Sequence, residues 1–126
     1  MKIFPVVAAV ELLLGLPAAV GPELATPSIR VARLNGLLSD LEKLRLEQRE
    51  GAGIGEMMNR LRAGGEAAHF VIESTGTIYQ ILDLGYAARR EGEYRADEVR
   101  ILSGSAKGTR KLLDALATLF PDLPME

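Results

Sequence analysis

The sequence predicts one small α/β (or α+β) domain: a mixed β-sheet of three to four strands with a central hairpin, flanked by helices and preceded by an apolar N-terminal helix. Three observations carry this reading. Residues 68–82 form two short apolar runs around a glycine-containing turn, the pattern of a hairpin. Leucines at three- and four-residue spacing stand on both sides of it, the pattern of helices. A chain of 126 residues, 48% hydrophobic and 25% charged, has the length and apolar content for one modest core. The division falls at residue 27, with an apolar helix and Pro/Gly connector over 1–27 and a single α/β domain over 28–126.

Composition excludes several kinds of chemistry. The chain has no cysteine, so it has no disulfide framework, thiolate zinc finger, Fe–S cluster or cysteine nucleophile. Its single histidine cannot make a two- or three-histidine zinc site within one chain. Fifteen Lys and Arg against 17 Asp and Glu give a net charge of −2, without the basic surplus of a nucleic-acid binder. No cofactor is expected.

Residues 3–20 (IFPVVAAVELLLGLPAAV) are apolar but interrupted by Pro5, Glu11, Gly15 and Pro17. A secretory leader has a charged start and an uninterrupted apolar core. Here Lys2 is the only early cation, and Glu11 in mid-membrane would cost about 2.5–3.5 kcal/mol. The expectation is therefore a helix packed on protein, with membrane insertion disfavoured. Val6, Val7, Val10, Leu13 and Leu14 would form its contact side against a protein partner or a second copy. A cytoplasmic or within-particle location is favoured over secretion, with an uncleaved signal or anchor left open.

Pro22 and Pro27 mark the connector. Residues 28–34 (SIRVARL) fit either a short strand or the first turn of the helix after it. Leu37, Leu38, Leu41, Leu44 and Leu46, interleaved with charges, predict an amphipathic helix ending near Gly51. Gly51, Gly53 and Gly55 make a joint before a short helix over 56–62 carrying Met57, Met58 and Leu61, stopped by Gly64 and Gly65. The hairpin follows, with strands over 68–73 and 77–82 and Gly76 at its turn. Residues 83–97 read as a polar loop laced with weak ion pairs. Residues 98–102 (EVRIL) predict a third strand, and 107–120 a last helix with Leu112, Leu113, Leu116 and Leu119 inward.

The stretch Ala67-Ala68-His69-Phe70-Val71-Ile72-Glu73, Ser74-Thr75-Gly76, Thr77-Ile78-Tyr79-Gln80-Ile81-Leu82-Asp83-Leu84 resembles the central hairpin of the zinc-dependent N-acetylmuramoyl-L-alanine amidases, relatives of peptidoglycan recognition proteins. The helix and proline turn over 112–124 (LLDALATLFPDLP) look like the family's late helix, and residues 98–103 like its buried central strand. The resemblance implies an amidase-like domain over 28–126. It does not carry the family's zinc chemistry. Arg33, Leu34 and Asn35 stand where the family has its first histidine ligand, Ala87-Ala88-Arg89-Arg90 stand near the second, and the third lies beyond Glu126. The glutamate base expected near Ile101 or Leu102 is also missing, with Glu98 out of register. A zinc-activated water needs three fixed ligands and an open position, so no catalytic or metal residue is assigned.

His69 is expected as a half-buried strand histidine with one hydrogen bond rather than a catalytic base. Residues 103–109 (SGSAKGT) lack the spacing of a phosphate loop and read as a Ser/Thr-capped helix entry. His69, Tyr79, Arg89 and Arg90 are the candidate lining of an old substrate groove, since paired arginines can grip a carboxylate. The functional expectation is a non-catalytic structural or interaction subunit within a bacterial envelope or phage-type assembly. Two alternatives stand beside it: a peptidoglycan amidase completed by another chain or segment, and a peptidoglycan-fragment binding module.

Overall fold

The computed structural model describes residues 28–30, 43–82, 84 and 86–119. The expected N-terminal helix with Val6, Val7, Val10, Leu13 and Leu14, the connector, and the leucines before residue 43 lie outside the described residues.

The described chain is a mixed α/β fold. Strands β1 (Ser28–Arg30), β2 (Lys43–Gln48), β3 (Phe70–Ile72), β4 (Ile78–Gln80), β5 (Tyr86–Arg90), β6 (Glu93–Arg95) and β7 (Glu98–Ser103) combine with helices α1 (Ile54–Gly64) and α2 (Ala106–Leu119). The main sheet has the order β2-β7-β3-β4, and a second sheet has the order β1-β5-β6. In the main sheet β7 is central and parallel to both β2 and β3, while β3 and β4 form the antiparallel hairpin.

The hairpin turns where the sequence predicts. Gly76 N–H donates to the Glu73 carbonyl at 2.8 Å and Gly76 sits at φ +91°, a left-handed conformation that glycine adopts without penalty. All three β3 residues are buried, because each face of the sheet is covered. On one face, Leu44, Phe70, Ile72, Ile78, Val99 and Ile101 meet Leu112 and Leu116 of α2. On the other, Val71 and Leu102 meet Met57, Met58 and Leu61 of α1. Burying a side chain of this size stabilises by about 1.5–3 kcal/mol, so these two layers are the main source of the fold's stability. Helix α1 ends at Gly65, φ 61°, whose N–H returns to the helix carbonyls.

Two expectations are corrected. Residues 43–48 belong to a strand, not to the end of a leucine helix. Lys43, Arg45 and Glu47 alternate with Leu44 and Leu46, and pairing with β7 from Lys43↔Glu98 to Gln48↔Ser103 selects the two-residue period over the helical one. Residues 86–95 are a hairpin, not a loop. Arg90 pairs with Glu93 across the turn, where Glu91 and Gly92 both have positive φ, 54° and 79°, as a tight two-residue turn requires.

Candidate functional site

The most distinctive chemistry lies on the α1 face of the main sheet. Alternation along β2 and β7 places Lys43, Arg45 and Glu47 beside Glu98, Arg100 and Leu102. The β5–β6 hairpin meets this face through Arg90. Its guanidinium grips the fully buried Glu98 bidentately, Nε to Oε2 at 2.8 Å and Nη2 to Oε1 at 2.9 Å. Nη1 of Arg90 donates to Glu91 at 2.8 Å, and Arg45 Nε stands 3.6 Å from Glu98 Oε1. Burial pushes the Glu98 carboxyl upward, but the Arg90 hydrogen bonds and the charges of Arg90, Arg45 and Lys43 outweigh it and hold it below the usual carboxylate range. Glu98 in turn raises the Arg90 guanidinium against the opposing effect of burial.

Arg100 forms a second knot one step along β7. Nη1 donates to Glu66 at 2.8 Å and to the Ala67 carbonyl at 3.1 Å, and Nη2 donates to both Glu47 oxygens at 3.0 Å. Glu66 also accepts from the Glu91 N–H at 3.0 Å. Its carboxyl is pushed up by burial, yet that N–H and Arg100 bring it below the ordinary value. The two knots tie β2, β7, the end of α1 and the β5–β6 hairpin together.

His69 is fully buried, not half-buried, and makes two main-chain hydrogen bonds through its ring. Nδ1 accepts from the Arg100 N–H at 3.1 Å. Nε2 must then carry the proton, which it donates to the Tyr86 carbonyl at 2.8 Å. The imidazole is a neutral bracket between β7 and β5, and neither nitrogen has a lone pair left for a metal or a substrate proton.

The other three candidate residues are engaged separately. Arg90 is held by Glu98. Tyr79 OH donates to Glu73 at 3.4 Å, and burial with the Glu73 charge raises its phenol above the usual range. Arg89 lies beside the Gly65 cap, where a Cβ would stand 3.9 Å from Nη1. No hydrogen bond or ion pair joins any two of His69, Tyr79, Arg89 and Arg90 among the described residues. A cavity of about 110 Å³ is lined by Glu47, Gln48, Arg49, Met57, Arg60 and Leu102, none of them among these four.

The 103–109 segment is an internally satisfied helix entry. Ser105 Oγ accepts from the Gly108 N–H at 3.1 Å, capping α2. Thr109 Oγ1 donates to the Ser105 carbonyl at 2.9 Å and lies 2.5 Å from Ser103 Oγ. A Cβ on Gly108 would stand 2.5 Å from Ile72 Cγ2 and 3.0 Å from the Gly76 carbonyl, so the first turn of α2 is pressed onto the hairpin. Among the described residues, no three His, Cys, Asp or Glu side chains gather where they could hold a metal ion.

Sequence reasoning missed Glu98, Arg100, Arg45, Glu47 and Glu66 as a unit. The available signal was opposite charges alternating with apolar residues in both KLRLE and EVRIL. No family model, curated protein or solved structure matches the chain. The resemblance to the amidases therefore rests on the sequence of the hairpin, residues 98–103 and the late helix, with no comparison beside it.

Proposed function

We propose that the chain is a non-catalytic structural or interaction subunit on an amidase-like scaffold, working within a larger bacterial envelope or phage-type assembly. The observation that supports this most is the state of His69. The only imidazole in the chain is closed into two main-chain hydrogen bonds, so it serves the joint between strands rather than chemistry. The neighbouring arginines and glutamates are likewise tied to one another, which suits a rigid platform better than a site that must rearrange around substrate. Contacts through residues 3–20 belong to the same reading.

The test is metal analysis of the purified full chain combined with a peptide-release assay on muropeptides. The expected result is substoichiometric zinc and no release, with or without added zinc. Stoichiometric zinc with release of the peptide would overturn the reading in favour of an amidase.

A further inference from the structure

Strand β2 is an edge of the main sheet among the described residues: its hydrogen-bonded neighbour there is β7. The Lys43 N–H donates to the Asp97 carbonyl at 3.2 Å and the Arg49 N–H to the Ser103 carbonyl at 2.7 Å. In a parallel ladder the main-chain groups of alternate residues point the same way. Those of Lys43, Arg45, Glu47 and Arg49 therefore face β7, and those of Leu44, Leu46 and Gln48 face outward. Such an edge is a template for another strand.

We propose that this edge pairs with β2 of a second copy of the chain, antiparallel about a two-fold axis at Arg45, extending the sheet across the dimer. The register follows from the sequence. With Arg45 opposite its own copy, Leu44 faces Leu46 and Lys43 faces Glu47, each twice by symmetry. Leu44 and Leu46 are the residues whose main-chain groups point outward, so they form the reciprocally hydrogen-bonded pair. Arg45 falls at the close-approach, non-hydrogen-bonded position. Shifting the centre by half a step would put Arg45 opposite Leu46 and mix the charged and apolar faces.

The side chains agree with this register on both faces. Leu44 and Leu46 belong to the apolar layer under α2, so pairing them across the axis continues that core into the second copy. On the other face Lys43 meets the Glu47 carboxylate, which is part-exposed while it holds Arg100. Opposite charges directly across a strand pair are favourable. The two Arg45 side chains approach on the axis, each with Glu98 3.6 Å away to offset the like charge. This pairing does not depend on the chain being non-catalytic, since an enzyme can use the same edge.

The test uses the full wild-type chain. Sedimentation equilibrium gives the mass, and amide hydrogen exchange at low and high protein concentration reads the N–H groups of Leu44 and Leu46. The expected result is a dimer in which these two amides exchange at least about tenfold more slowly at the higher concentration. Lys43→Glu, which sets like charges across the pair, weakens the dimer by about tenfold. A monomer overturns the proposal. So does a dimer whose Leu44 and Leu46 amides show no concentration dependence, because that dimer joins elsewhere or the edge is covered within one chain. Unweakened association of Lys43→Glu removes the register.

Discussion

Replacing Glu98 by glutamine keeps the side-chain shape and removes one charge from a fully buried ion pair. Arg90 then retains its hydrogen bond to Glu91, but the amide nitrogen of glutamine meets guanidinium donors where a carboxylate oxygen accepted them. Arg45, 3.6 Å from Glu98 Oε1, then faces the Arg90 guanidinium without the Glu98 charge between them. Removing one partner of a buried pair costs about 3–5 kcal/mol. With a urea slope of about 2 kcal/mol/M, the unfolding midpoint falls by about 2 M. The assay is urea unfolding followed by circular dichroism for the wild type, Glu98→Gln, Arg90→Met and the double variant Arg90→Met/Glu98→Leu. The double variant, which leaves neither charge stranded, is expected to be more stable than either single variant. A loss below about 1 kcal/mol for Glu98→Gln, the range of an exposed pair, would refute the assigned role.

The same pair sets an acid dependence. The Glu98 and Glu66 carboxyls lie below their ordinary value of 4.5 when folded, so across the acid range the unfolded chain binds more protons. Their stabilisation is complete above that value and is lost as pH falls through the folded pKa values; urea midpoints between pH 6 and pH 3 should show this loss, less steeply in Glu98→Gln. Gly108→Ala, which gains about 1 kcal/mol in an ordinary helix interior, is expected to lose about 1–3 kcal/mol here, since the added Cβ would stand 2.5 Å from Ile72 Cγ2. Thermal unfolding reads that sign. His69→Phe removes the ring's bond to the Tyr86 carbonyl and takes the acceptor from the Arg100 N–H, a loss of about 1–3 kcal/mol for a buried donor. An unchanged denaturation midpoint would show that the imidazole holds neither.

The hairpin around Gly76 was legible because alternation, a turn glycine and short length agree within fifteen or so residues. Both helices were legible from their leucine and methionine spacing and their glycine or serine boundaries. Strand β2 was not, because Leu44 and Leu46 continue a run of leucines whose spacing fits a helix. Only the partner strand β7, more than fifty residues on, decides the period there. The β5–β6 hairpin was hidden by its arginines. A buried Arg90 makes sense once Glu98 lies beneath it, and Glu91-Gly92 is a weaker turn signal than Asn-Gly. The ion-pair platform was illegible for the same reason: its charges look solvated until strand pairing brings them onto one covered face.

The His69 ring is a neutral bracket between two main-chain groups, and nitrogen-15 NMR of the imidazole reads that state. A long-range proton–nitrogen correlation spectrum of the full chain at pH 7 should show the Nε2–H tautomer, with Nδ1 as acceptor. Adding equimolar zinc should leave both ring nitrogens unmoved. An Nδ1–H tautomer, or a ring signal that shifts or broadens with zinc in proportion to the metal added, would rule out the bracket and return this histidine to chemistry.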